Sequence, residues 1–212
     1  EQSNGVLKLS IRQVGNERRA CYLITQKSIL FGPGQDSTIK IEYRANVSQV
    51  KAKGAWFAGW LYANGFSGGN ATDSNPDSGM EIDVFEYFPI WDVAYNTAIH
   101  DGINFGEWIT PADDGQDLRS NAFHTYGLQW HKNCLAFYFD GKLVRTEDRY
   151  VSSTKNHSLY LTMEAQTGYQ WNDPESFPVG SFANNLANFP AVGQIDWVKV
   201  SEKKSIDPRL CD

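Results

Sequence analysis

Residues 79–88 read GMEIDVFEYF. Glu81, Asp83 and Glu86 fall within six positions, and the residues between them are apolar. Acids are poor strand formers and are rarely buried unless they are paired or used. Side chains alternate faces along a strand, so Glu81 and Asp83 share one face while Ile82 and Val84 take the other. Plain alternation sends Glu86 to the wrong side. One extra residue around Val84-Phe85, a β-bulge, brings it back. The stretch then reads as a strand with three acids on one face and apolar residues against a core.

Like charges this close repel, so at least one carboxyl should keep its proton near neutral pH. One ionised and one protonated carboxyl is the equipment for cleaving a glycosidic bond. In that reading Glu81 is the nucleophile and Glu86 the acid/base. Asp83, between them, orients Glu81 and helps set the proton affinities. The competing reading is an acidic solvent face, or a set of ligands for Ca2+.

The rest of the chain has the same character. Val6–Arg12, Ser37–Arg44 and Gln194–Val200 alternate, and residues 159–164, LYLTME, form another run. Phe123–Trp130 and Leu135–Phe139 form a pair, and Asp140-Gly141 marks a tight turn into Lys142–Arg145. No long stretch has a 3.6-residue apolar period, so helices should be few and short. There is no repeat, linker or break in composition. The expectation is one all-β domain over residues 1–212, a sandwich of two packed antiparallel sheets. Loops at 64–79 and 168–191 are long enough to carry function.

Seven Trp, ten Tyr and twelve Phe suit a surface for flat, uncharged ligands. The formal charge is -6 and no basic run exceeds a pair, which argues against nucleic acid and anionic membranes as partners. No segment approaches the ~20 apolar residues of a membrane span. The three cysteines, Cys21, Cys134 and Cys211, have no metal-ligand spacing. One disulfide with a free thiol and three free thiols both fit. Sequons at Asn46, Asn70 and Asn156 lean towards a secreted glycoprotein.

Glu81-Ile-Asp-Val-Phe-Glu86 resembles the bulged E-[ILV]-D-x-x-E signature of glycoside hydrolase family 16, the form carried by laminarinase-like enzymes, agarases and carrageenases. Phe123-His-Thr-Tyr-Gly-Leu-Gln-Trp130, Phe137-Tyr-Phe-Asp-Gly141 and Gly193–Val200 are similar to further family segments, in family order. Gly54-Ala-Trp-Phe-Ala-Gly-Trp60 resembles G-x-W-P-A-x-W, with Phe57 where Pro is usual. The resemblance implies a β-jelly-roll with a concave cleft and a retaining, endo-acting hydrolase of β-linked polysaccharide. It gives Glu81, Asp83 and Glu86 the roles stated above. β-1,3- or mixed β-1,3/1,4-glucan is the first choice of substrate. An agarase, a transglycosylase and a non-catalytic glycan-binding jelly roll are the alternatives.

The resemblance also places His100 beside the catalytic acids. Trp171, Trp91 and Trp108 are candidates to stack on sugar rings, and Gln166, with Glu164 close by, to bond a hydroxyl. Trp60, Trp130 and Trp197 read as packing residues, and His124 as structural. Tyr87 is left open between core and cleft rim. No cofactor is required. The family's structural Ca2+ would use Asp196; a lone Asp is a weak metal signal, so that site is left open. A secreted monomer with a polysaccharide substrate is expected.

Overall fold

The computed structural model describes residues 1–15, 17–30, 37–52, 54–64, 80–89, 93–100, 104–109, 117–131, 134–148, 155–165 and 190–203. Among them the chain forms strands and no α-helix. The strands are β1 (Gln2–Ser3), β2 (Val6–Val14), β3 (Glu17–Arg19), β4 (Cys21–Ile24), β5 (Ile29–Leu30), β6 (Thr38–Asn46), β7 (Ala55–Ala63) and β8 (Glu81–Tyr87). Then follow β9 (Tyr95–His100), β10 (Asn104–Ile109), β11 (His124–Trp130), β12 (Leu135–Phe139), β13 (Lys142–Glu147), β14 (Asn156–Ala165) and β15 (Ala191–Lys203).

They make two antiparallel sheets. One runs β1-β2-β15-β6-β11-β12-β13, with β3 beside β2; the other runs β10-β9-β8-β7-β14-β4, with β5 beside β14. The central strands bury alternate residues towards the space between the sheets. In β7, Ala55, Phe57, Leu61 and Ala63 face inward, and in β6, Ile39, Ile41, Tyr43 and Ala45 do so. These meet Tyr126, Leu128 and Trp130 of β11 and Leu135, Phe137 and Phe139 of β12 in one apolar core. The predicted turn is present: Asp140 and Gly141 have φ of 47° and 81°, the left-handed pair a two-residue hairpin demands.

The bulge in β8 is also present. Opposite β7, Trp60 pairs with Asp83 but the next residue back, Gly59, pairs with Phe85, so Val84 stands out of the ladder. Opposite β9 the register likewise slips between Asp83 and Glu86. The slip turns Phe85 inward. Its ring stacks on Tyr126 at 4.5 Å and meets Phe57 edge-on at 5.4 Å and Tyr43 at 5.8 Å. Tyr87, opposite Phe57, also points into the core and is 3% exposed, which settles its open assignment.

Room for Phe85 comes from Gly59. A Cβ there would lie 2.5 Å from the Phe85 ring and 3.0 Å from Tyr43. Gly59→Ala should therefore cost about 1–3 kcal/mol of stability and lower kcat as Phe85 and the bulge are displaced. Gly193→Ala, which meets the Phe57 ring at 2.7 Å, should also be destabilised but lower kcat less, because it reaches Phe85 only through Phe57. Thermal melts and kinetics on both variants check this, and an unchanged Tm for Gly59→Ala would contradict the packing account.

Candidate active site

The bulge fixes which side chains share the outer face of the second sheet. Across β7, β8 and β9 the facing positions are Tyr62–Glu81–His100, Trp60–Asp83–Ala98 and Ala58–Glu86–Asn96. All three acids therefore lie on one face. Asp83 and Glu86 are 2% and 3% exposed, while Glu81 is half-buried. His100 Nε2 lies 3.1 Å from Asp83 Oδ2 and 3.9 Å from Glu81 Oε1. Asn96 Nδ2 donates to Glu86 Oε2 at 2.8 Å.

The acids resist ionisation for stated reasons. Burial first, and the Asp83 carboxylate second, push Glu81 up to about 8, with His100 pulling it down. Burial raises Asp83, and contact with His100 opposes it. Burial and then Asp83 hold Glu86 well above the usual carboxylate range, against the hydrogen bond from Asn96. Glu81 is less enclosed than Glu86 and lies nearer His100, so of these two it is the better placed to carry the negative charge. Glu86 is the one best placed to keep a proton. Two carboxyls driven apart in this way can supply a nucleophile and a proton donor.

A hollow beside the acids is lined by Tyr22, Trp56, Trp60, Glu81, Asp83 and Glu164, with Ala58 at its floor. Trp60 stacks on Tyr160 with ring centroids 4.4 Å apart, and Tyr22 and Tyr62 meet Trp60 edge-on at 6.2 Å and 5.6 Å. Trp60 is thus half-buried on the acid face instead of being a core residue as the sequence reading had it. Trp130 does pack, fully buried, whereas Trp197 is 37% exposed on β15, beyond the residues that cover the core. Glu164 sits opposite Trp56 in the β14–β7 register, and burial raises its proton affinity.

Of the other expected binding residues, Trp91, Trp171 and Gln166 lie outside the described residues. Trp108 is in β10, where its backbone pairs with Asn96. Asn96, Glu164, Tyr22 and Tyr160 were not singled out or were mentioned only in passing. Alternation carried the signal for one of them: Asn96 shares the strand parity of His100.

His124 is structural, as read. Its Nδ1 is 2.8 Å from Asp140 Oδ2 and its ring stacks on Phe139. The Asp196 carboxylate accepts a hydrogen bond from the Arg44 guanidinium. Cys21 is free and Cys134 is in a disulfide. Asn46 is 2% exposed and bonded to Asn121 and Ser48, so that sequon is closed to a glycan, while Asn156 is exposed. Asn70 lies outside the described residues.

A family model for glycosyl hydrolases family 16 matches residues 1–198. No curated protein matches the sequence. Among solved structures, a laminarinase from Flavobacterium sp. UMI-01 is 23% identical with a TM-score of 0.66, over 93% of this chain and 79% of that one. An endo-1,3-beta-glucanase from Streptomyces sioyaensis is 19% identical with a TM-score of 0.72, over 94% and 76%. A GH16 protein of a Bacteroides ovatus mixed linkage glucan PUL, in complex with a G4G4G3G product, is 22% identical with a TM-score of 0.64, over 95% and 83%. At these identities the likeness shows a shared fold.

Two outcomes follow from the electrostatics. A carboxyl with a raised folded-state pKa holds its proton more tightly folded than unfolded. Its contribution to stability is full below the unfolded value, about 4.3 for Glu, and is lost as pH rises through about 8 for Glu81. Glu81→Gln should therefore abolish turnover, match the parent's Tm at pH 4 and exceed it at pH 8, by roughly 2–4 °C per kcal/mol relieved. A lower Tm at pH 8 would contradict the account. His100→Asn removes the charge that pulls Glu81 down, so the acid limb of the kcat/KM profile should move to higher pH.

Proposed function

The chain belongs to glycoside hydrolase family 16, and from that membership we propose that it is an endo-acting β-glucan hydrolase working by a retaining double displacement. The observation that carries this reading is the single face bearing Glu81, Asp83 and Glu86. Glu86 gives its proton to the glycosidic oxygen while a Glu81 carboxylate oxygen attacks the anomeric carbon. The bond to the leaving sugar breaks and an ester to Glu81 forms. Glu86, now ionised, takes a proton from water. The resulting hydroxide equivalent attacks the same carbon from the side the leaving sugar vacated, and Glu81 departs. Asp83 stays between them, with His100 against its Oδ2, orienting the nucleophile.

The hollow beside the acids supports a neutral sugar as substrate. Aromatic rings suit the C–H faces of a pyranose, and among the described residues the lining brings Glu81, Asp83 and Glu164 with no Lys or Arg. A sulfated polymer would meet repulsion there. The bulged signature and His100 favour β-1,3- or mixed β-1,3/1,4-glucan. We place the protein in an oxidising compartment, as a secreted enzyme, and the disulfide at Cys134 supports this. We read residues 1–212 as one catalytic domain.

Reducing-end release from laminarin, lichenan, agarose, xyloglucan and carrageenan tests the substrate. Laminarin or lichenan should react fastest, with an early fall in viscosity. A preference for agarose would assign the protein to galactans, and no release from any of them by folded protein would leave a glycan-binding jelly roll. Trp60→Ala should weaken binding of the preferred glucan by on the order of 1–2 kcal/mol, read as a rise in KM, and lower Tm as well because the ring packs on Tyr160.

A further inference from the structure

The edge strand β13 departs from the pattern its sequence favours. Residues 142–147 read KLVRTE. Lys142 pairs with Phe139 and Leu143 with Tyr138. Continued without interruption, that register would place Val144 opposite Phe137 and Thr146 opposite Leu135. Val144 and Thr146 would face the core, and Arg145 and Glu147 would face water. Instead the register slips by one residue, and Arg145 pairs with Phe137 and Glu147 with Leu135. The result is a buried guanidinium and a buried carboxyl, 8% and 7% exposed. Arg145 Nη2 lies 3.7 Å from Glu147 Oε2, and the guanidinium sits over the Phe137 ring at 5.3 Å.

Buried ion pairs are weak sources of stability, because desolvation offsets their attraction. An apolar pairing was one register step away. The use of Arg145 lies across the sandwich. Its Nη1 donates to the Thr97 carbonyl at 2.7 Å and to Thr97 Oγ1 at 3.0 Å. Thr97 is the β9 residue at the slip made by the bulge: the register goes from Asp83–Ala98 directly to Glu86–Asn96. Its chain neighbours are those same two residues. Asn96 is the side chain that holds Glu86 at 2.8 Å, and Ala98 lies opposite Asp83.

We propose that Arg145 is a positioning residue for the proton donor: acting through Thr97, it fixes the β9 backbone at the gap left by the bulge, so that Asn96 meets Glu86. One bulge puts the acids on their face, and a second, in the other sheet, brings the cation that steadies the strand beside them. Arg145 touches no substrate. Its loss loosens the aim of Glu86 and leaves Glu81 unaltered. The inference rests on Glu86 being the acid/base.

The test separates steps that need a proton donor from steps that do not. A leaving dinitrophenolate needs no protonation, whereas a leaving sugar does. Arg145→Met alone would strand a buried carboxylate, so the variant is Arg145→Met with Glu147→Leu, which replaces the pair by apolar groups and leaves the fold standing. Its kcat/KM on laminarin should fall about ten- to a hundredfold, while its dinitrophenolate burst from 2,4-dinitrophenyl β-laminaribioside stays near the parent's. Thr97→Val, which removes only the hydroxyl contact, should show the same split at smaller size. Equal losses on both substrates, or no loss on either, would overturn the proposal. Glu86→Ala is run beside them. If it shows the split and the Arg145 double variant does not, the positioning role fails alone. If Glu86→Ala shows none, the assignment of Glu86 fails and takes the proposal with it.

Discussion

Glu81 and Glu86 are five residues apart, an odd separation, and in an unbroken strand they would point to opposite sides of the sheet. Taking Val84 out of the ladder is what puts them together. The slip is set by packing as much as by hydrogen bonding. Phe85 turns into a cluster of Tyr43, Phe57 and Tyr126, and it fits because Gly59, directly opposite, has no side chain. The core of the sandwich and the chemistry on its outer face therefore depend on the same residue step. A mutation that repacks Phe85 acts on the acids without touching them.

The acid face is costly to build. Asp83 and Glu86 are almost wholly enclosed and Glu81 stands beside them. Three carboxyls in that space cannot all ionise. In the proposed mechanism the repulsion is put to use, since it keeps a proton on one acid at a pH where another can be charged. It also means the fold tolerates its own active site at some expense in stability. His100 and Asn96 temper that expense at opposite ends of the row, one against Asp83 and Glu81, the other on Glu86.

Much of this was legible in the sequence, because period-two patterning, turn residues and the odd acid spacing are local signals. The bulge, the Asp140-Gly141 turn and the placing of the three acids come from such signals. What was not legible depends on pairing between distant segments. Trp60 looked like a packing residue until its neighbours Tyr22 and Tyr160, far apart in the chain, were brought to the same face. Arg145 and Glu147 are turned inward by the register against β12, which no local signal in residues 142–147 reveals. Asn46 matches a glycosylation motif, but its side chain is spent on a turn and on Asn121.

The central claim is that the bulge equips one face for double displacement, with attack by Glu81 followed by attack of water. The most direct measurement is the configuration of the first product, read by proton NMR of the newly released anomeric centre before mutarotation. With a β-linked glucan oligosaccharide as substrate, the account predicts that the β anomer appears first and the α anomer grows in later. An α anomer formed first would mean a single displacement by water. That result would contradict Glu81 as a nucleophile and the purpose assigned to the bulge.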